Sequence, residues 1–159
     1  RAGVLAARGE RVLFSDADLS TPIEELARLM ERMDQGYDIV IGSRALPQSR
    51  VEVHQPWYRE SMGRTFNMLV RLVALPGITD TQCGFKLFAR AAARDLFARA
   101  LVDRFAFDVE ILMLARGRYR LAEVPVRWLN NTDSRVSPGR DAAEMALDTL
   151  TIRLRHLLR

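Results

Sequence analysis

Residues 11–44, RVLFSDADLSTPIEELARLMERMDQGYDIVIGSR, decide the fold. Residues 11–15 (RVLFS) form a short apolar run between turn signals and read as a buried strand. The run ends in Asp16-Ala17-Asp18. A helix start follows: Thr21 can cap, Pro22 takes the first helical position, and Glu24 completes a capping box. Ile23, Leu26, Ala27, Met30 and Met33 recur at helical spacing, and Gly36 ends the helix. Residues 38–42 (DIVIG) read as a second buried strand. A strand–helix–strand unit of this kind predicts a parallel α/β sheet.

The remainder extends that pattern. Residues 43–56 are loop-like, with Pro47 and Pro56; residues 57–75 carry helical periodicity and stop at Pro76-Gly77. Cys83-Gly84 makes a turn before a short apolar strand. Residues 89–100 and 108–116 read as helices, and residues 121–128 as a strand whose Pro125 suits a sheet edge. Residues 130–139 form a polar loop, and residues 141–158 a basic amphipathic helix. No internal repeat is present. Residues 1–8 read as the last turns of a helix with no capping residue before them, so an N-terminal portion is expected to lie outside this chain.

The chain has 159 residues, 48% hydrophobic and 28% charged, which suits one folded domain and excludes a disordered or low-complexity segment. One cysteine, Cys83, excludes an internal disulfide and a cysteine-rich zinc module. The net charge of +4 is modest, but nearly all the basic residues are arginine, the residue suited to bidentate phosphate or carboxylate contact. The most apolar stretch, residues 66–75, is interrupted by Arg71, and no run reaches the ~18 residues that span a bilayer.

Chemistry concentrates at the predicted strand ends, where open α/β sheets bind ligands. Asp16 and Asp18 are two apart, so in extended backbone both carboxylates can reach one cation. Their oxygens suit Mg²⁺ or Mn²⁺ bridging to substrate phosphates. The alternative is one aspartate capping the helix and the other solvated. Arg44 follows the second strand and can hold a diphosphate or a sugar hydroxyl; the alternative is a surface arginine. Asp80 and Gln82, in the turn DTQCGF (residues 80–85), either point into a pocket or satisfy local amides. Cys83 reads as a small core residue. Asp108 and Glu110 open a helix, where acids complement the dipole or contact a sugar. Arg135 lies in a polar loop, either as a phosphate clamp or exposed. His54 and His156 are isolated. The leucines and arginines of the last helix pack on the sheet or lie on a membrane surface.

These pieces together resemble family 2 glycosyltransferases of the GT-A type, nearest to dolichyl-phosphate β-glucosyltransferases and other polyprenyl-phosphate glycosyltransferases. The resemblance rests on FSDADLSTP (14–22), IGSR (41–44), the arginine helix at 59–67, TDTQCGFKLF (79–88), FAFDVEIL (105–112), EVPVRW (123–128) and SRVSP (134–138). It implies a Rossmann-like, mostly parallel sheet with flanking helices. The whole chain, residues 1–159, would be the C-terminal part of one catalytic domain, with the first strand and most nucleoside contacts outside it.

The resemblance further implies that Asp16 and Asp18 bind the metal and the donor diphosphate. Arg44 would lie near the donor, and Arg59 on the acceptor side. Asp80 and Gln82 would contact donor sugar and acceptor, and Arg135 would sit in a loop closing over the site. Asp18, Asp80 and Arg59 are then the candidates for the transfer step, with Asp80 foremost as an orienting group and secondarily as a base. Ser20 stands where some mannosyl relatives carry a glutamine ligand, which leaves a third metal ligand open. The implied reaction moves a hexose, foremost glucose from UDP-glucose, to a polyprenyl phosphate with inversion. The implied cofactor is Mg²⁺ or Mn²⁺. The implied partners are a nucleotide sugar, the lipid phosphate and the cytoplasmic face of a membrane, with no nucleic acid. Mannosyl transfer from GDP-mannose and a noncatalytic membrane-binding module are the alternatives.

Overall fold

In the computed structural model, residues 1–52, 74–102, 106–129 and 140–157 are described, together with residues 61, 65, 68, 70 and 71, which are helical. The elements run α1 (Ala2–Ala6), β1 (Arg11–Ser15), a 3-10 turn (Ile23–Glu25), α2 (Leu26–Asp34), β2 (Ile39–Ser43) and β3 (Arg50–Val51). Then follow β4 (Phe85–Ala89), α3 (Arg90–Arg99), α4 (Phe107–Ala115), β5 (Leu121–Pro125), β6 (Arg127–Trp128) and α5 (Arg140–Leu157).

Four strands form one sheet in the order β1-β4-β2-β5. β1, β2 and β5 share a direction, as the strand–helix–strand reading requires. β4 alone is reversed and sits between β1 and β2, pairing antiparallel with both. β2 and β5 pair in parallel with Ser43 opposite Pro125, so Pro125 falls on the outermost strand of the order. The expected strand over residues 121–128 breaks at Val126. Its last two residues leave the sheet and pair with β3 in a separate two-stranded ribbon.

Alternation along the strands sends side chains to two cores. Val12, Phe14, Ile39, Ile41 and Phe88 face α3, α4 and α5, meeting Leu96, Phe97, Val109, Leu112 and Ile152. Leu13, Val40, Phe85 and Leu87 face α2 through Leu29 and Met33. Coverage on both faces explains why β2 reads as an apolar run and β4 as one broken only by Lys86. Each fully buried Leu, Ile or Phe in these cores contributes about 1.5–3 kcal/mol over its exposed state.

Two local expectations are corrected. The capping box does not form: the 3-10 turn precedes α2, and neither helix start carries a side-chain cap hydrogen bond. Thr21 is buried and its hydroxyl bonds the Cys83 thiol instead, while the Ser20 carbonyl beside it accepts from the Leu129 amide at 2.7 Å. The buried face of α2 runs through Leu29 and Met33, while Ile23 and Met30 stand exposed. The residues that complete the expected helix at 57–75, and the loop at 130–139, lie outside the described residues.

Candidate active site

The sheet topology gathers the candidate residues at one edge. β1 and β2 both finish there, at Ser15 and Ser43, and β4 starts there, since Phe85 pairs with Ser15. Asp16, Arg44 and the turn 79–84 leading into β4 therefore converge beyond the carboxyl ends of β1 and β2.

Asp16 is seated on Gly84. Its amide donates to the Gly84 carbonyl at 2.8 Å, and a Cβ on Gly84 would lie 1.7 Å from Asp16 Oδ2. The backbone then turns: the Leu19 amide donates to the Asp16 carbonyl at 3.2 Å, and the Ser20 amide to Asp18 Oδ1 at 3.0 Å. Closing this turn places Leu19 at φ 53°, the one non-glycine in the left-handed region among the described residues. Asp16 lies at the surface, yet its carboxyl leans back over the Gly84 backbone. That partial burial, with the charge of Asp18, raises it above the usual carboxylate value against the opposing charges of Lys86 and Arg44. A divalent cation between the two carboxylates would relieve this repulsion, and an oxygen-only donor pair with remaining positions for phosphate and water suits Mg²⁺ or Mn²⁺. Among the described residues no group of three or more His, Cys, Asp or Glu side chains gathers. Ser20 Oγ is buried and has no hydrogen-bond partner among the described residues.

Arg44 is held by Asp80. Arg44 Nε and Nη2 donate to the two carboxylate oxygens at 2.7 and 2.9 Å, and the Arg44 amide adds a third bond at 2.9 Å. Its guanidinium lies 5.4 Å from the Trp128 ring centroid. Asp80 is 1% exposed. Burial raises its carboxyl, but the charge and hydrogen bonds of Arg44 outweigh that and hold it below the usual range. Glu123, on β5, anchors the turn from beneath: it accepts from the Thr79 hydroxyl at 2.6 Å, the Thr79 amide at 2.8 Å and the Asp80 amide at 2.9 Å. Asp80 thus fixes the direction of the Arg44 guanidinium. Its engaged carboxylate is poorly placed to act as a base.

A second buried pair lies behind Asp16. Lys86, the chain's single lysine, is 1% exposed on β4. Its ammonium donates to Asp108 Oδ1 at 2.5 Å and to the Cys83 carbonyl at 2.7 Å. Packing of Phe107 on Phe14, with ring centroids 5.4 Å apart, brings the first turn of α4 against β1 and Asp108 within reach. Burial raises the Asp108 carboxyl, opposed by Lys86. Glu110 has a local role, accepting from the Leu101 and Val102 amides at 2.8 Å. Cys83 is buried, and burial pushes its thiol up to about 11.

The structure therefore brings together Asp16, Asp18, Arg44 and Asp80, with Gln82 half-buried in the same turn. Arg59 and Arg135 lie outside the described residues. Sequence reasoning missed Lys86, Glu123 and Trp128. A lone lysine among arginines inside the apolar run FKLFA was the available signal for the first. A cavity of about 530 Å³ opens beside α2 and the β3–β6 ribbon, lined by Glu25, Arg28, Gln48, Arg50, Pro125 and Arg127. None of the described candidate residues is among these.

Asp16, Asp18, Arg44 and Asp80 all fall within residues 1–97, which match the model of glycosyl transferase family 2. The chain belongs to that family. It is 39% identical to the dolichyl-phosphate beta-glucosyltransferase of Drosophila melanogaster, over 99% of this chain and 51% of that protein. It is 35% identical to the enzyme of the same name from Homo sapiens, again over 99% of this chain and 51% of that protein. The chain thus spans about half the length of these curated relatives. Its fold is similar to the crystal structure of glucosyl-3-phosphoglycerate synthase from Mycobacterium tuberculosis in complex with UDP, at TM-score 0.62 and 16% identity, over 96% of this chain and 51% of that one.

Proposed function

We propose that this chain carries the diphosphate-binding and transfer residues of an enzyme that moves a hexose, foremost glucose from UDP-glucose, onto a polyprenyl phosphate such as dolichyl phosphate. The observation that carries the reading is the convergence of Asp16, Asp18 and the Asp80-anchored Arg44 at one sheet edge. The names of the relatives supply the acceptor class and the sugar.

A bound Mg²⁺ or Mn²⁺ would neutralise charge developing on the departing nucleoside diphosphate. Asp16 and Asp18 are the residues that would hold it. Arg44, rigid in its fork with Asp80 and stacked near Trp128, would meet the donor phosphates or sugar without reorganising. The acceptor phosphate is already largely anionic at neutral pH, with a second pKa near ~6, so the transfer asks for position and charge neutralisation more than for a base. That fits a site whose buried acids, Asp80 and Asp108, are both engaged by cations. In-line attack would invert the anomeric centre. Arg59 and Arg135 are assigned to the acceptor side and to a closing loop, and Gln82 to substrate contact.

The lipid acceptor implies work at a membrane face. Among the described residues no helix is long and apolar enough to cross a membrane. On α5, Ile152 is buried while Leu147, Leu150 and Leu154 are 46–65% exposed beside exposed Arg155, which supports peripheral contact with a membrane surface.

Calorimetric titration of the intact protein with UDP-glucose and GDP-mannose, with and without Mn²⁺, tests the reading. Mn²⁺-dependent binding of UDP-glucose, lost together with transfer in Asp18→Ala, is the expected result. Full transfer by Asp18→Ala would overturn the metal role; preference for GDP-mannose would move the assignment to mannosyl transfer. Liposome binding with no nucleotide affinity would point to a noncatalytic module.

A further inference from the structure

Lys86 is the least expected residue in the molecule. The chain places arginine at 23 of its 24 basic positions and keeps its one lysine at 1% exposure in the middle of the sheet. A buried ammonium is costly unless fully engaged. The strand register shows what surrounds it: Phe14, Lys86, Ile41 and Glu123 form one row across β1, β4, β2 and β5. The two charged members of that row both reach toward the turn 79–84. Glu123 holds its beginning, at Thr79 and Asp80, and Lys86 holds its end, at the Cys83 carbonyl.

The end that Lys86 holds is the seat of Asp16. The Cys83 carbonyl accepts from Lys86 at 2.7 Å, and the next carbonyl, that of Gly84, accepts the Asp16 amide at 2.8 Å. The Asp16 carboxylate lies directly on the Gly84 Cα. Moving the Cys83–Gly84 peptide therefore moves Asp16. The same ammonium acts electrostatically on Asp16 and Asp80 as well as on its partner Asp108. An arginine could not replace it conservatively, since a planar fork offers a different set of donor directions from a compact ammonium.

We infer that Lys86, braced by Asp108, is the positioning residue of this site: it fixes the Cys83–Gly84 peptide and thereby sets where the Asp16 carboxylate is presented to a divalent ion. The inference rests on the proposed metal-binding role of Asp16 and Asp18. Lys86 and Asp108 stand to Asp16 as outer-shell partners stand to a metal ligand, whose loss typically costs 10–100-fold in metal affinity. A purely structural pair behaves differently, because replacing both charges by apolar groups of similar volume is often neutral for stability and would leave the site as it was.

The test measures Mn²⁺ affinity in the presence of UDP, from the free-Mn²⁺ EPR signal, together with the melting temperature. Its subjects are the intact wild-type protein, Lys86→Met/Asp108→Leu and Asp108→Asn. The double variant is expected to fold and to bind Mn²⁺ 10–100-fold more weakly. A folded double variant with wild-type affinity overturns the inference. Should the double variant fail to fold, the isosteric Asp108→Asn decides: about a tenfold loss supports the inference, and unchanged affinity overturns it. Failure of the wild type itself to bind Mn²⁺ with UDP refutes the metal reading directly, before any variant is compared.

Discussion

Replacing Gly84 by alanine gives the sharpest test of how Asp16 is seated. Gly84 does not occupy the left-handed region, so alanine meets no backbone penalty there. The added methyl would instead lie 1.7 Å from Asp16 Oδ2, 1.9 Å from Cγ and 2.4 Å from Oδ1. Real Cβ atoms do not come closer than about 3 Å to such neighbours, so the carboxyl must retreat by more than 1 Å. Asp16 cannot carry its backbone along freely, since its amide is bonded to the Gly84 carbonyl at 2.8 Å. The side chain must rotate off the Gly84 backbone and leave its present position. Misplacing a reacting or binding group by about 1 Å can cost on the order of 10²-fold in rate. Stability should barely change, because the displaced group is a surface side chain and alanine lowers the entropy of the unfolded chain by about 0.4–1 kcal/mol. The expected result is a melting temperature within a few degrees of wild type, Mn²⁺–UDP affinity at least ~10-fold weaker, and transfer reduced about 100-fold. If the methyl acts through Asp16, Gly84→Ala adds little to Asp16→Asn in a double-mutant cycle. Wild-type affinity in Gly84→Ala, or full additivity with Asp16→Asn, would refute the seating.

Arg44→Met strands the buried Asp80 carboxylate and should cost about 3 kcal/mol at pH 7, read by urea melts. In the wild type, Asp80 is held below its unfolded value of about 3.9, so its contribution is complete above that pH and is lost as pH falls through the lower folded value. In Arg44→Met the guanidinium is gone while burial, the residue-44 amide hydrogen bond and the Lys86 charge remain, so the Asp80 carboxyl rises from its wild-type value and the stability gap to wild type should narrow as pH falls through the acid range. Cys83, at 1% exposure with its thiol pushed up to about 11, should resist a thiol reagent at pH 8 in the native protein and react fully in urea, followed by absorbance. Leu19→Asn should raise the melting temperature by about 2–4 °C, because asparagine tolerates the left-handed backbone and leucine there is 63% exposed with little burial to lose.

What the sequence disclosed and what it hid divide along one physical line. Asp16, Asp18 and Arg44 were legible because strand ends are marked by the pattern itself. An apolar run stops, polar residues follow, and the edge of an α/β sheet is where such residues meet. The run FKLFA was legible as a strand too, but its direction was not: nothing in its residues says that β4 enters from the ligand edge and inserts reversed between β1 and β2. That insertion makes the site. It delivers the turn 79–84 to the strand ends, and it sets buried Lys86 in the same row as half-buried Glu123, so two charges brace the turn from below. Periodicity registers a buried charge only as a break in an apolar pattern, and a partner such as Asp108, 22 residues away, leaves no local trace. Thr21 shows the converse. Its capping signature was complete in sequence and unused in the fold, because the hydroxyl found Cys83 across the sheet entrance instead. Local chemistry thus named the groups that gather at the strand-end edge, whereas the groups that hold them there depend on which strands become neighbours. The supporting residues Lys86, Asp108 and Glu123 are accordingly where substitutions should separate affinity from stability.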